Sequence, residues 1–199
     1  PSNTVKIRTI EANSDLKLGF IGAGNFATNN LLPPLQRLVK DFVAVSTATP
    51  INAKSSAKRF GFAEATTDSF SIINDSRTNL IFIASRHNSH AQYVVKSLEN
   101  DKNVFVEKPL AINFEQLSEI EKAYKNSKAS LMVGFNRRFS KPFVKMKDFF
   151  ANRQDPMLIN YRINAGFIPK SHWIHDEGGR IIGEVCHFID CMIYLTGAL

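Results

Sequence analysis

The sequence has 199 residues, of which 44% are hydrophobic and 22% are charged, and its formal net charge is +7. These values are ordinary for a globular protein with a buried core and exclude an intrinsically disordered chain. The longest apolar runs, such as LIFIA at 80–84, are too short to span a bilayer, and the N-terminus lacks a secretory signal pattern. We therefore expect a cytoplasmic protein with no membrane partner.

The positive charge would suit a nucleic-acid binder or an enzyme that acts on anionic substrates. The densest basic stretch, NRRFSKPFVKMK at 136–147, contains five Lys or Arg residues, whereas the other basic residues are scattered and often lie near acidic ones. This distribution is typical of a solvated surface. We predict no nucleic-acid partner, and salt-dependent retention on DNA or RNA would test that prediction.

Residues 1–15 are polar and aperiodic, which predicts a linker or arm, and strands alternate with helices from residue 16 onward. Pro33 and Pro34 are expected to kink or divide the first helix. The alternation requires right-handed crossovers and a parallel sheet covered on both faces, so the predicted fold class is α/β, with a doubly wound Rossmann sheet over 16–140. The predicted strands are 16–22, 42–47, 79–85, 103–107 and 130–136, and the predicted helices are 25–41, 52–61, 90–101 and 113–127.

The alternation stops after residue 141. Residues 142–152 are predicted to be helical, 156–167 alternate like a strand with one exposed face, and 178–197 form a long apolar helix. These elements cannot bury an independent core. We expect 141–199 either to dock on the first domain or to be the incomplete start of an α+β second domain, in which case the chain is a piece of a longer protein.

The segment GFIGAGNFA at 19–27 contains the pattern G-x-G-x-x-A, which binds dinucleotides when it follows a strand and begins a helix. Gly22 permits the tight turn and Gly24 lets a pyrophosphate approach the backbone, where it meets a helix N-terminus. The pattern alone is weak, because small residues cluster at many turns. Its position here predicts a nucleotide site that includes Asn25 and Phe26.

The end of the second predicted strand carries Ser46 and Thr47, where an NAD-binding protein usually has Asp or Glu. Without that acid a 2′-phosphate meets no repulsion, and Lys54 and Lys58 follow downstream. The sequence predicts NAD or NADP as the cofactor, with a slight preference for NADP. The alternative is that the two hydroxyl groups bond to the 2′-hydroxyl group of NAD.

Two further segments accompany the fingerprint: IASRHNSHAQYVV, at the end of the strand at 79–85, and VFVEKPLAI, in which an apolar strand ends in EKP at 107–109. Together they resemble the glucose-fructose oxidoreductase / inositol dehydrogenase / MocA-type (Gfo/Idh/MocA) family of NAD(P)-dependent oxidoreductases. The family's N-x-x-H pattern is one residue shorter here, at 88–90. The segments RHNSHA and HDEGGRIIGEVCHFID also resemble versions fused behind a zinc-type alcohol dehydrogenase module.

The resemblance implies that Lys108 reaches over the nicotinamide to the substrate oxygen. Removing a hydride from a carbinol carbon requires the hydroxyl proton to leave, and an ammonium group beside the oxygen stabilises the developing alkoxide. Lys108 is therefore a predicted catalytic residue that also contacts the cofactor. The other residues that we expect at the cofactor in this part of the chain are Ser85, His87, His90 and Glu107.

The resemblance also implies a second proton-handling group in the segment EGGRIIGEVCHFID. The family's pattern there is a Gly-rich entry, then Asp, three residues, His, two residues and Asp. Gly183 stands in place of the first Asp, and Glu184 follows one position later. His187 is the predicted general acid/base and Glu184 its orienter, since residues three apart on a helix share a face. The alternative for His187 is a satisfied packing residue.

The predicted function is hydride transfer between a nicotinamide cofactor and a hydroxyl or carbonyl carbon of a sugar, cyclitol or nucleotide sugar. A non-catalytic dinucleotide-binding sensor is the alternative, and Gly183 is its best argument. The His and Cys residues near the C-terminus match no standard zinc ligand set, so no metal is predicted. We expect a sugar-like small molecule as partner and leave a homo-oligomer of the full-length protein open. The candidate substrate-binding residues are Asn136, Arg138, Asn164 and Trp173.

Overall fold

The computed structural model describes residues 3–9 and 15–198. The chain divides into two compact units, of which the first ends at Val133 and the second begins at Gly134. This division precedes the boundary predicted after residue 140. The reason is that the short turn Asn136–Phe139 makes its contacts within the second unit, where Arg138 forms an ion pair with Asp190.

A seven-stranded sheet lies at the centre of the described part of the first unit. Its order is β1-β4-β3-β2-β5-β6-β7, in which β1 is antiparallel to β4 and every other neighbouring pair is parallel. The doubly wound parallel sheet predicted from the sequence is confirmed. The strands are β1 (Thr4–Lys6), β2 (Lys17–Ile21), β3 (Asp41–Ser46), β4 (Glu64–Thr66), β5 (Leu80–Ile83), β6 (Asn103–Val106) and β7 (Leu131–Val133).

Helices connect the parallel strands. A wide helical turn at Ala27–Leu31 precedes the first α-helix, so that Pro33 and Pro34 stand in its opening turn, where a missing N–H costs little. The prolines were predicted to kink or divide this segment; the chain instead stays helical from residue 25 to residue 38, with the wide turn directly before them. The helices are α1 (Leu32–Leu38), α2 (Pro50–Phe60), α3 (Ser69–Asn74), α4 (His90–Glu99) and α5 (Phe114–Asn126).

Side-chain caps determine where several of these helices begin. The Asp68 carboxylate accepts hydrogen bonds from the first backbone N–H groups of α3, and the Asn113 side chain accepts one from Gln116 N at 2.9 Å in α5. Both satisfy donors that have no partner within the helix. Gly61 ends α2 with a φ of +81°, a conformation that glycine adopts without strain.

Two apolar layers cover the sheet. On one side α1 and α2 pack over β2 and β3, and on the other α3, α4 and α5 pack over β5 and β6. The carboxyl edge of the sheet therefore projects from a rigid core. Large buried side chains of the first layer include Leu18, Phe20, Leu32, Phe42 and Phe62, and those of the second include Ile72, Ile81, Ile83, Val94, Leu98 and Ile120.

Three short elements of the first unit differ from the sequence prediction. Residues 4–6, predicted as part of a linker, form the edge strand β1, and residues 10–14 of that linker lie outside the described residues. No pattern in the sequence predicted the strand β4 or the helix α3. They have three and six residues, which is too few for a hydrophobic period to show.

The second unit contains the helices α6 (Lys141–Phe149) and α7 (Cys186–Thr196), and a wide helical turn at Ile181–Val185 leads into α7. Residues 156–167 do not form the predicted strand. A strand needs a neighbour for its backbone hydrogen bonds, and the described residues of this unit provide none. Among all described helices, none has both the length and the apolar composition needed to cross a membrane.

Candidate active site

The carboxyl ends of β2, β5 and β6 lie side by side, because Ile21 pairs with Ile83 and Ile83 pairs with Val106. The bonding continues beyond the strands: the backbone N–H of Ala84 donates to Ile21 O, and that of Glu107 donates to Ile83 O, both at 2.8 Å. The glycine loop and the two motif segments therefore start at one edge of the sheet. In open α/β sheets this is the edge where ligands bind.

Gly22 is closely packed against the neighbouring strand end. Its φ is +91°, and a Cβ atom at this position would lie 2.5 Å from Ser85 N and 2.6 Å from the Ala84 carbonyl carbon. Its backbone N–H donates to Ser46 O at 2.9 Å, which joins the loop to β3. Only glycine fits here, as the tight turn of the fingerprint requires.

Gly24 is in the opposite situation. It is exposed, and no atom outside its immediate chain neighbours lies within 4 Å of the position that a Cβ would occupy. Asn25 and Phe26 beside it are also exposed, and Thr28 N donates to Gly24 O at 2.9 Å as the chain turns into the helix. The loop thus presents bare backbone to open space, which is what the close approach of a pyrophosphate needs.

The two hydroxyl residues that end β3 are already engaged. Ser46 is buried, and its hydroxyl oxygen lies 2.8 Å from the hydroxyl oxygen of Ser69. Thr47 donates its hydroxyl hydrogen to Thr49 O at 2.8 Å. Every residue of β3 is buried within the sheet and the Ser46 side chain is directed to a protein partner, so the contact of Ser46 with a cofactor stays a prediction.

The segment after β5 also differs in part from the prediction. The Ser85 and Ser89 hydroxyl oxygens lie 2.7 Å apart, and the His87 ring is buried with its centroid 5.9 Å from that of His90. His90 is fully buried, with Nδ1 2.7 Å from Pro109 O and Nε2 3.0 Å from Ser85 O. Both of its ring nitrogens bond to backbone, so they are not free for the cofactor contact predicted from the sequence.

Glu107 and Lys108 follow directly after β6. Glu107 is 9% exposed, and its Oε1 has no hydrogen-bond partner among the described residues. Burial raises the pKa of the Glu107 carboxyl, against the backbone N–H and the positive charge of Lys108. Lys108 is half-buried, and its peptide bond to Pro109 is cis. A buried carboxyl oxygen left unpaired at this edge is suited to a ligand's hydroxyl group.

His187 and Glu184 lie in the second unit. His187 is buried near the start of α7, and its ring contacts that of Phe135 edge to face at 6.1 Å between centroids. The Glu184 carboxylate accepts a hydrogen bond from Arg180 Nε at 2.8 Å, and Arg180 also donates to Gly166 O at 2.9 Å. Glu184 is thus fixed in an ion pair with Arg180, and its predicted role as orienter of His187 stays a prediction.

Arg138, a predicted substrate residue, is engaged instead with a carboxylate of its own unit. Its Nε donates to Asp190 Oδ2 at 2.9 Å and its second guanidinium nitrogen donates to Oδ1, which raises the pKa of Arg138. Asp190 is buried, and the predicted contact of Arg138 with the substrate stays a prediction. Asp190 stood out in the sequence as the last residue of the His-x-x-Asp pattern, although that pattern does not indicate Arg138 as its partner. The other substrate candidates are placed in the second unit as exposed Asn136 and Asn164 and half-buried Trp173.

Within the described residues, 3–9 and 15–198, no group of three or more His, Cys, Asp or Glu side chains could hold a metal ion. Cys186 and Cys191 form no disulfide, and burial raises the pKa of the Cys191 thiol.

Comparison with known proteins agrees with this geometry. The Gfo/Idh/MocA family model, described as an oxidoreductase family with an NAD-binding Rossmann fold, matches residues 16–135. Myo-inositol 2-dehydrogenase of Thermotoga maritima is 25% identical over 189 residues, which cover 92% of this chain and 55% of that protein. Inositol 2-dehydrogenase of Acidothermus cellulolyticus is 33% identical over 137 residues, covering 66% of this chain and 39% of its own. The chain spans about half the length of the first of these curated relatives.

Solved structures show the same fold. Levoglucosan dehydrogenase in complex with NADH and levoglucosan superposes with a TM-score of 0.76 at 25% identity, covering 92% of this chain and 54% of that chain. A 3-ketoreductase of Actinomadura kijaniata in complex with NADP has a TM-score of 0.63 at 19% identity, and the match covers 69% of this chain and 44% of that chain. At that lower identity the likeness concerns the fold alone.

Proposed function

Because this chain belongs to the Gfo/Idh/MocA oxidoreductase family with its NAD-binding Rossmann fold, we propose that its first unit binds a nicotinamide dinucleotide at the carboxyl edge of β2, β5 and β6. We further propose that the whole protein transfers hydride to or from a CH–OH carbon of a sugar or cyclitol. The observation that carries the proposal is the contrast between the two fingerprint glycines, of which Gly22 is enclosed by protein and Gly24 opens onto empty space.

The residues along this edge fit such a cofactor. The exposed backbone from Gly24 to Phe26 suits a pyrophosphate, which needs N–H donors and no intervening side chain. The unpaired Glu107 Oε1 suits a hydroxyl donor such as that of a ribose. When bound, a nicotinamide ring supplies the hydride acceptor or donor, a capacity that no protein side chain has.

In this proposal Lys108 handles the proton of the substrate hydroxyl. It is half-buried at the end of β6, where a low local dielectric strengthens the attraction between its ammonium group and a developing alkoxide. In the oxidation direction the ammonium group first gives one proton to solvent, and the neutral amine then accepts the proton that the substrate hydroxyl loses. Lys108 thus serves as proton carrier when it cycles between the two forms and as electrostatic stabiliser when it is charged. His187, the predicted general acid/base, is the candidate proton-handling group of the second unit.

The substrate class is proposed from the relatives. Inositol and levoglucosan, named in two of them, are both compact rings that carry several hydroxyl groups. We propose a polyhydroxylated ring of this kind for the whole protein. The slight preference for NADP stays a prediction: Lys54 and Lys58 are exposed on α2, whereas the Ser46 hydroxyl is used by Ser69.

One observation favours the alternative of a dinucleotide sensor without turnover. Gly183 replaces the family's first Asp, and the neighbouring carboxylate of Glu184 is held by Arg180. A sensor would bind the reduced and oxidised cofactors but would transfer no hydride. Replacing Lys108 by Ala separates the enzyme hypothesis from the sensor hypothesis.

The test is Lys108→Ala, with the exposed Lys122→Ala on α5 as a matched control. Reduction of NAD⁺ or NADP⁺ is followed with myo-inositol and levoglucosan, and NADH affinity is measured in parallel. The enzyme hypothesis expects a rate loss of at least about 100-fold with cofactor affinity within about threefold of wild type. Cofactor binding without turnover in the wild type supports the sensor, and an unaltered rate in Lys108→Ala contradicts the assigned role.

A further inference from the structure

His90 connects two segments that follow neighbouring strands of the sheet. It is the first residue of α4 and is fully buried. Its Nδ1 lies 2.7 Å from the carbonyl oxygen of Pro109, in the segment after β6, and its Nε2 lies 3.0 Å from the carbonyl oxygen of Ser85, in the segment after β5. One side chain therefore links the residue next to Lys108 with the end of the adjacent strand.

These two partners determine the protonation of the ring. A backbone carbonyl oxygen has no hydrogen to donate, so each ring nitrogen must carry the hydrogen of its own bond. A neutral imidazole has one N–H and one lone pair, and it would turn that lone pair toward one of the two oxygens. Only the imidazolium form donates both bonds, and its charge strengthens each of them.

We propose that His90 is a positioning residue, held as an imidazolium, that ties the Lys108–Pro109 turn to the end of β5 and thereby holds the Lys108 amine in place. The fixed carbonyl group belongs to the residue directly after Lys108, so it restrains the backbone from which that side chain extends. The inference rests on the proposed function only for the catalytic task of Lys108.

Charged and titratable groups of both signs lie on the two joined segments. Arg86 and His87 precede α4, and the His87 ring centroid is 5.9 Å from that of His90. Glu107 is the acidic group, two residues before Pro109, and it is itself buried. The basic neighbours add to the cost of burying the imidazolium, and only the ionised form of Glu107 would offset part of that cost.

The first measurement is the ¹⁵N spectrum of the five histidine rings in the labelled chain without cofactor. We expect one ring to keep both nitrogens protonated at about pH 8, above the ordinary pKa of a histidine side chain. Its signals should disappear in His90→Gln. If all five rings show one unprotonated nitrogen at that pH, the protonation assigned to His90 is wrong.

The second measurement is the rate at which acetic anhydride labels the Lys108 amine, read by mass spectrometry. His90→Phe keeps a ring but removes both donors, whereas His90→Gln retains an N–H donor. Because one lost tether is worth roughly 1 kcal/mol, we expect labelling of Lys108 to rise about fivefold or more in the Phe variant and by less in the Gln variant. Labelling of the exposed Lys122 should stay unchanged.

Ser97→Ala is the matched control, because it removes a different buried bond of α4, from Ser97 Oγ to Tyr93 O at 2.7 Å. It should leave the labelling rate of Lys108 at the wild-type value. An unchanged rate in a folded His90→Phe or His90→Gln protein overturns the positioning role. Neither measurement uses cofactor, so a wild-type protein that fails to bind NADH refutes the proposed function and leaves this inference still testable.

Discussion

The two charged residues after β6 lie next to each other but in different surroundings. Glu107 is buried with one carboxyl oxygen unpaired, while Lys108 is half-buried at the same edge. Burial disfavours the charged form of a carboxyl, and it raises the pKa of Glu107. A buried carboxyl group with an unpaired oxygen lowers the stability of the folded protein. Such groups are typical of positions retained for binding.

This cost predicts how stability depends on pH. Because the pKa of Glu107 is higher in the folded than in the unfolded protein, its contribution is fully favourable below the unfolded pKa and is lost as pH rises through the folded pKa. Glu107→Gln should therefore be more stable than wild type at pH 7, by on the order of 1 kcal/mol, and the difference should close below about pH 4. Urea unfolding at both pH values measures it.

The exposed Glu119→Gln on α5 is the control for this substitution and should show no pH-dependent difference. A Glu107→Gln protein that is less stable than wild type at pH 7 would mean that the carboxylate has a favourable partner in the folded state. The expected loss of cofactor affinity in Glu107→Gln is a separate readout, since the amide replaces one acceptor oxygen by a donor.

At the scale of single residues, the sequence does not indicate which protein groups the candidate site residues contact. His90, Ser46 and Arg138 were each expected at a ligand; each forms a hydrogen bond to a protein group, and its ligand contact stays a prediction. Their partners are 19, 23 and 52 residues away along the chain. Hydrogen-bond partners at such separations are set by tertiary packing, which no local pattern records.

Among the elements, the glycine loop between β2 and its helix has the sharpest structural requirement. Gly22→Ala combines a φ of +91° with a Cβ that would lie 2.5 Å from Ser85 N and 2.6 Å from the backbone of Ala84. Strain and overlap with backbone should lower the free energy of unfolding by about 3 kcal/mol or more. Gly24→Ala, where a Cβ meets no atom within 4 Å, should change it by less than about 1 kcal/mol.

Denaturant unfolding of the two variants gives both values directly. Equal losses of stability in Gly22→Ala and Gly24→Ala would contradict the assignment of Gly22 to the tight turn and of Gly24 to the open backbone. A stable Gly24→Ala protein is also the variant needed for the binding experiment, because any loss of cofactor affinity in it cannot be attributed to unfolding.

Elements with a long hydrophobic period were predicted well, and short or unpaired ones were not. The central strands and the helices α2, α4 and α5 follow the alternation of the sequence, because their burial in the sheet layers imposes it. The edge strand β1 depends on its pairing with β4, a contact across about sixty residues. Residues 156–167 have the alternation of a strand, but no described residue of their unit pairs with them.

On the scale of the whole molecule, the chain consists of two compact units with separate stabilising contacts. In the second unit the Arg138–Asp190 pair connects the turn Asn136–Phe139 to α7, and the Asp190 side chain is buried. Removing one partner of such a pair leaves a charge without compensation. The pair therefore contributes to the second unit specifically.

Asp190→Ala should destabilise the second unit by about 2–3 kcal/mol, since Arg138 is partly exposed and recovers some hydration. Hydrogen exchange followed by mass spectrometry should show faster exchange in α7, while the amides of β2, β5 and β6 keep their wild-type rates. The exposed Asp148→Ala on α6 is the control. Faster exchange throughout both units would contradict a local role for the pair.

The central claim is that the open backbone at Gly24 receives a nicotinamide dinucleotide, and calorimetric titration of NADH and NADPH into wild type and Gly24→Ala tests it most directly. We predict a saturable heat with at least one of the two cofactors, and an affinity at least about tenfold weaker in Gly24→Ala with its stability retained. No heat with either cofactor, or equal affinity in wild type and Gly24→Ala, would contradict the claim.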